Sequence, residues 1–162
     1  MFQRIMVIGC PGAGKSTFSR ALRDRLGLPL YYLDCLWHRE DKTTVSREEF
    51  DKALSELLEG ERWIIDGNYN RTLEARLKRC DTVFLLDYPP ETCLAGVRER
   101  IGKKREDLPW LEEELDEEFY QWVVDFPRTQ LPRIYELLER YRAEKNVIVF
   151  RSRQEAEEFL KR

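Results

Sequence analysis

The chain has 162 residues, 42% of them apolar and 36% charged, with a net charge of −3. That length suits one folded domain over 1–162 with a real core, and the near balance of charge argues against direct nucleic-acid binding, which usually shows a net basic face. No apolar run approaches the ~20 residues that span a bilayer, and Cys10, Cys35, Cys80 and Cys93 form no C-x-x-C pair, so reduced thiols in a cytoplasmic protein are expected.

In chain order, QRIMVI (3–8) reads as a buried strand, and its apolar stretch is too short for a signal-peptide core. It runs into Gly9-Cys10-Pro11-Gly12-Ala13-Gly14-Lys15-Ser16, which fits G-x-x-x-x-G-K-[S/T] at every required position. The loop lies between a strand and a helix, the context that makes this motif credible. Gly9, Pro11, Gly12, Ala13 and Gly14 shape a backbone cradle whose N–H groups point inward. The following helix adds its positive end. Lys15 is placed to bridge the outer phosphates of a nucleoside triphosphate, Ser16 to ligate Mg²⁺, and Thr17 to reach the inner phosphate.

The helix after the loop runs to about Leu26, where Gly27 and Pro29 stop it, and LYYLD (30–34) is the next strand. The stretch 35–45, CLWHREDKTTV, is an aromatic loop of mixed charge, and 35–60 as a whole forms the acceptor side. Residues 46–59 are a helix with a Ser46/Glu49 capping box and a Val45/Phe50 staple. Strands follow at RWIID (62–66), DTVFLLD (81–87) and NVIVF (146–150). From Pro90 to Arg142 the chain reads as mostly helical, with Leu111, Leu115, Phe119, Trp122 and Phe126 on one stripe. The acids Glu112–Glu114 and Asp116–Glu118 are read as the solvated face of that helix.

Five apolar strands alternating with helices imply an α/β fold, a parallel sheet covered on both faces. Such sheets bind ligands beyond the carboxyl ends of their strands. The glycine loop, Asp34, Asp66, Asp87 and Arg151 therefore hold the interest. Asp66 and Asp87 each end an apolar strand, the form of a carboxylate that orients Mg²⁺, and the pattern alone leaves both open.

RIMVIGCPGAGKST, YYLDCLW, RWIIDGNYNRTLEARL, DTVFLLDYPPETCL, FPR (126–128) and VIVFRSRQEAEEFL carry a resemblance to P-loop kinases of the adenylate-kinase type. Among these, the chain most resembles small bacterial topology modulation proteins. The likeness spans nearly the whole chain, and only 101–118 matches poorly. It implies the P-loop NTPase fold with strand order 2-3-1-4-5 and transfer of the ATP γ-phosphate to a small acceptor, with nucleoside monophosphate kinases as the pattern. It favours Asp66, followed by Gly67-Asn68, for the metal, and Asp34 for the acceptor hydroxyl or the metal. It also implies a short lid at about 99–108, with Arg100 near the nucleotide and Lys103 where the family usually has arginine. Arg128 is the favoured further catalytic cation, ahead of Arg133. Arg151 and Ser152 resemble the loop that touches adenine.

On the acceptor side, Trp37, Asn68 and Arg71 are the candidate contacts, although Asn68 and Tyr69 replace the family's Phe-Pro and Arg71 falls one position late. His38 is read as packing. A monomer is expected. Kinase action on a non-nucleotide metabolite and an ATP-binding regulator linked to DNA topology stand as alternatives; N-K-x-D, which a GTPase would need, is absent.

Overall fold

In the computed structural model, which describes residues 2–162, five short strands form one parallel sheet. They are β1 (Arg4–Gly9), β2 (Leu30–Tyr32), β3 (Trp63–Asp66), β4 (Thr82–Leu86) and β5 (Asn146–Phe150). Their order is β2-β3-β1-β4-β5, as the resemblance implies. Ile5, Met6, Val7 and Ile8 are fully buried, as are Ile64, Ile65, Val83 and Phe84. Such continuous apolar runs are what strands covered on both faces require.

Helices α1 (Lys15–Leu26), α2 (Leu33–Trp37), α3 (Arg47–Leu58) and α4 (Leu73–Arg79) fill the first half of the chain. The second half holds α5 (Pro90–Arg100), α6 (Glu117–Thr129), α7 (Leu131–Tyr141) and α8 (Arg153–Leu160). The start of α3 is capped as expected, the Glu49 N–H donating to Ser46 Oγ at 3.1 Å. None of these helices is long and apolar enough to cross a membrane.

The register brings the working ends together. Val7 pairs with Asp66, and Gly9 with Leu86, so β1 delivers its glycine loop beside the end of β3. Phe18, Phe84, Phe150 and Phe159 form an aromatic core that supports α1 from below, with Phe18 and Phe84 centroids 5.0 Å apart.

Two expectations change. The second strand ends at Tyr32, and Leu33 and Asp34 open α2, with the His38 N–H donating to the Asp34 carbonyl. Leu33 is fully buried and packs beneath Gly67, which anchors this turn of helix. The stretch from Pro90 to Arg142 is mostly helical, as expected, but its expected single stripe is broken, because residues 101–116 are irregular. Gly102 turns the chain at φ +76, and Asp116 starts α6 by accepting the Phe119 N–H at 2.7 Å. Leu111 and Leu115 therefore fall outside α6. The expected stripe also splits within it, with Phe126 in the core and Trp122 exposed.

Candidate active site

The glycine loop is held from three sides. Gly12 has φ +85, and a Cβ there would lie 2.0 Å from the Cys93 carbonyl oxygen of α5. In return, a Cβ on Gly96 would lie 2.0 Å from the Gly12 carbonyl oxygen. Two glycines thus let loop and helix touch backbone to backbone. Arg153 adds a hydrogen bond from Nη2 to the Gly12 carbonyl at 3.3 Å. From the turn after β3, Asn68 takes the Gly9 N–H on Oδ1 at 3.0 Å and donates from Nδ2 to the Gly9 carbonyl at 2.7 Å. Asn68 therefore pins the loop while also lining the cavity beside it.

Lys15 and Ser16 follow at the start of α1. Lys15 Nζ donates to the Cys10 carbonyl at 3.4 Å, folded back over the loop. Ser16 Oγ donates to Asp66 Oδ2 at 2.8 Å. Burial pushes the Asp66 carboxyl up to about 6, against the pull of Lys15 and of the Ser16 hydrogen bond, and Asp34 and Asp107 push it further up. Among the described residues no cluster of three or more His, Cys, Asp or Glu could hold a metal alone. One hydroxyl and one carboxylate fit instead a Mg²⁺ that keeps waters and phosphate oxygens as its other ligands. Asp87 is differently engaged. It accepts from Tyr135 Oη and from Arg151 Nη1, the latter at 2.9 Å.

Two cavities open on this constellation. One, of about 390 Å³, is bounded by Asp34, Asp66, Tyr69, Phe119 and Trp122. The other, of about 410 Å³, is bounded by Thr17, Arg20, Lys103, Lys104 and Arg153. They share Lys15, Ser16, Arg100 and Asp107. In the first, Asp34 Oδ1 accepts from Tyr69 Oη at 2.5 Å, and its second oxygen accepts no hydrogen bond from the described residues. Burial, then the Asp34 charge, holds the Tyr69 hydroxyl far above its usual titration range.

The turn after β3 depends on a residue whose role is invisible in the motif. Arg76 of α4 is fully buried. It donates from Nη1 to the Gly67 carbonyl at 2.8 Å, from Nη2 to the carbonyls of Asn68 and Tyr69, and from Nε to Thr72 Oγ1. It thereby holds Tyr69, whose φ is +38, under Asp34. The available signal was an arginine on the face that also carries buried Leu73 and Leu77.

The segment 99–108 reaches over the second cavity but is not a bare cluster of cations. Glu112 Oε1 lies 3.3 Å from Arg100 Nε and 2.9 Å from Arg105 Nη1, and Arg105 Nε lies 3.4 Å from Asp107. The reading of Glu112 as part of a solvated face is corrected: it is a largely buried counter-ion. Glu113, Glu114, Asp116, Glu117 and Glu118 are exposed, as expected. Burial, then the Arg105 charge, lowers the Arg100 pKa, and its guanidinium sits 5.6 Å from the Phe119 ring centroid. Glu106 ties the segment to the body by accepting from Arg23 Nη1 at 3.1 Å and from Tyr32 Oη.

Four expected contacts do not come to the cavities. Arg128 is 75% exposed and pairs with Asp125. Arg71 forks onto Asp51 at 3.0 and 2.7 Å. Trp37 packs edge-on against Phe50, and Arg151 covers Asp87 and Tyr135. Each found a nearer local partner. Ala13 is buried within the loop and Thr17 lines the second cavity. His38 packs on Trp110, with centroids 4.8 Å apart.

A strand, a backbone cradle, a Lys-Ser pair on a helix start and a carboxylate from the neighbouring strand define a P-loop protein of the kinase type of fold. The sequence profile described as "AAA domain" matches residues 5–121, and the chain belongs to that family. An adenylate kinase of Thermotoga neapolitana is 28% identical over 94 residues, covering 57% of this chain and 42% of that protein. One from Thermotoga maritima is 29% identical over the same shares. The chain thus spans less than half the length of these relatives. The structure of an Acinetobacter baumannii shikimate kinase in complex with shikimate superposes with a TM-score of 0.65 at 18% identity, covering 99% of this chain and 90% of that one. The Bacteroides thetaiotaomicron shikimate kinase gives 0.57 at 20% identity, covering 99% and 95%. At such identity the likeness is one of fold.

Proposed function

We propose that the chain is an ATP-dependent phosphotransferase that moves the γ-phosphoryl group onto a small acceptor. One observation carries this reading: two cavities of similar size meet at Lys15, Ser16 and Arg100. A binding module or an ATP-driven switch needs only the nucleotide side. A transferase needs a second enclosed space opening on the γ-phosphate, because positioning provides much of its rate enhancement.

ATP occupies the cavity under Lys103 and Lys104, with its phosphates on the loop between Gly9 and Thr17. Lys15 and Arg100 bear on the charge that builds on the migrating group. Ser16 and Asp66 would hold Mg²⁺, which would supply charge neutralisation at the phosphates. The acceptor lies in the other cavity with its hydroxyl towards the free oxygen of Asp34. The hydroxyl oxygen bonds to the γ-phosphorus as the bond from that phosphorus to the β–γ bridging oxygen breaks. The electron pair leaves on ADP, and the hydroxyl proton passes to the Asp34 carboxylate. Arg76 is a positioning residue, since it acts through the turn that carries Asn68 and Tyr69.

In a monophosphate kinase of the topology-modulation kind, the reading favoured by the quoted motifs and the adenylate kinase relatives, an acceptor phosphate oxygen would attack in place of the hydroxyl and Asp34 would take no proton. Action on another small molecule uses every donor-side residue in the same role. A cytoplasmic monomer suits either, since one chain supplies both cavities. The test is ADP release from Mg·ATP with and without candidate acceptors. Acceptor-dependent release that Lys15→Ala abolishes supports transfer, and release independent of every acceptor leaves only a hydrolase.

A further inference from the structure

We infer that the acceptor is an uncharged hydroxyl compound with a planar or apolar face, and not a phosphate ester or a carboxylate. This rests on the transferase reading above, sides with its hydroxyl-acceptor form against its monophosphate-kinase form, and concerns the cavity that ends at Asp34.

The wall of that cavity decides the charge. Among the described residues its only cations are Lys15 and Arg100, against the carboxylates Asp34, Asp66 and Asp107; with Asp66 assigned to Mg²⁺ and Asp107 3.4 Å from Arg105, Asp34 is the charge an acceptor meets. Both cations stand at the shared edge, where the phosphates of ATP need them. Arg100 is further engaged by Glu112. The arginines that would clamp a second anion are elsewhere: Arg71 is forked on Asp51, and Arg128 faces solvent beside Asp125. An anionic acceptor would therefore enter beside Asp34 with no forked partner of its own. Like charges at close range disfavour each other's ionised form, and a site without compensating donors rejects the charged analogue.

What the wall offers suits a neutral molecule. Asn70 and Gln130 face the cavity as an amide pair, Nδ2 of Asn70 donating to Oε1 of Gln130. Amides of this kind give and take hydrogen bonds without a charge. Phe119 and Trp122 supply flat apolar surface on the α6 side, on which a ring can stack. Trp122 is 44% exposed although it is large and apolar, and a stacked acceptor would cover it. The free oxygen of Asp34 then meets a hydroxyl, a group it can bond and deprotonate.

The experiment is calorimetric titration of the protein saturated with Mg²⁺ and the non-hydrolysable analogue AMPPNP. The probes are matched pairs: each common ribonucleoside against its 5′-monophosphate, and an aromatic alcohol against the corresponding aromatic carboxylate. The uncharged member should bind at least about tenfold more tightly, and Asp34→Asn should narrow that gap by about tenfold, the effect of removing one nearby charge. A charged member that binds more tightly than its uncharged counterpart overturns the inference, as does failure of every uncharged member to bind. The first titration, of AMPPNP itself, separates the two readings. Absent nucleotide binding sinks the transferase proposal, whereas normal nucleotide binding with reversed preference sinks only this one.

Discussion

Lys15 makes one long hydrogen bond and, among the described residues, no ion pair, so the fold asks little of it. At pH 4, where Asp66 is uncharged in the fold and the pull of Lys15 on it is idle, Lys15→Ala should leave stability within about 0.5 kcal/mol, and at neutral pH it should lower transfer by about a hundredfold or more. Melting curves and turnover measured together check both halves. Asp66 is the opposite case. Its native carboxyl titrates near 6, above its ordinary 3.8, so the native state binds the proton more tightly than the unfolded chain does. That contribution to stability is complete below about pH 4 and is lost as pH rises through 6. The charged form at pH 8 therefore weakens the ligand-free fold by roughly 2–3 kcal/mol. Asp66→Asn should raise the melting temperature at pH 8, with the gain vanishing near pH 4, and should lower turnover. A lower melting temperature at pH 8 contradicts this account. Lys15 and Ser16 were legible because they are neighbours in one motif, whereas ending an apolar strand left Asp66 level with Asp87 and only the resemblance carried by Gly67-Asn68 favoured it. Arg76 and Glu112 were not, because each takes its meaning from groups that only folding brings near.

The contact between α5 and the glycine loop depends on two missing side chains. Gly96→Ala must push the helix from the loop or the loop from its cradle, since the added carbon would lie 2.0 Å from the Gly12 carbonyl oxygen. A loss of about 1–3 kcal/mol is expected, the usual cost of overpacking, together with weaker nucleotide binding. Denaturant melts and a nucleotide titration would show it, and an unchanged midpoint would mean that the two elements are not held together. The segment 99–108 is expected to close further over bound phosphates, since a triphosphate competes with Glu112 for Arg100 and Arg105. Hydrogen exchange there should slow with Mg²⁺ and AMPPNP. Protection confined to the glycine loop would leave the segment as a fixed basic turn. Arg100→Ala should then reduce transfer more than it weakens nucleotide binding. Strands and the capped helix α3 were readable from local pattern, whereas the irregular 101–116 was not: a stripe of apolar residues with helical spacing passed through it, and only the cap at Asp116 marked the true start of α6.

At the scale of the molecule, alternation of apolar strands with helices was enough to give the parallel sheet, and the motifs gave the strand order through resemblance. The donor side was legible for the same reason, being one loop and one helix start. The cavity beyond Asp34 was legible only at Asp34 and Asn68, because Asp34, Tyr69 and the Phe119–Gln130 side of α6 come from three distant stretches and converge only in the fold. Those three stretches line a space that a mere ATP switch would not need. Transfer to a small molecule is therefore the central claim, and one measurement tests it most directly. The protein is incubated with Mg²⁺, ATP labelled in its γ-phosphate and a protein-free filtrate of cellular small molecules, and the products are separated. The account predicts label in a small organic phosphate other than ATP that forms with the wild type and not with Lys15→Ala. Label that remains in ATP or appears only as inorganic phosphate would contradict it.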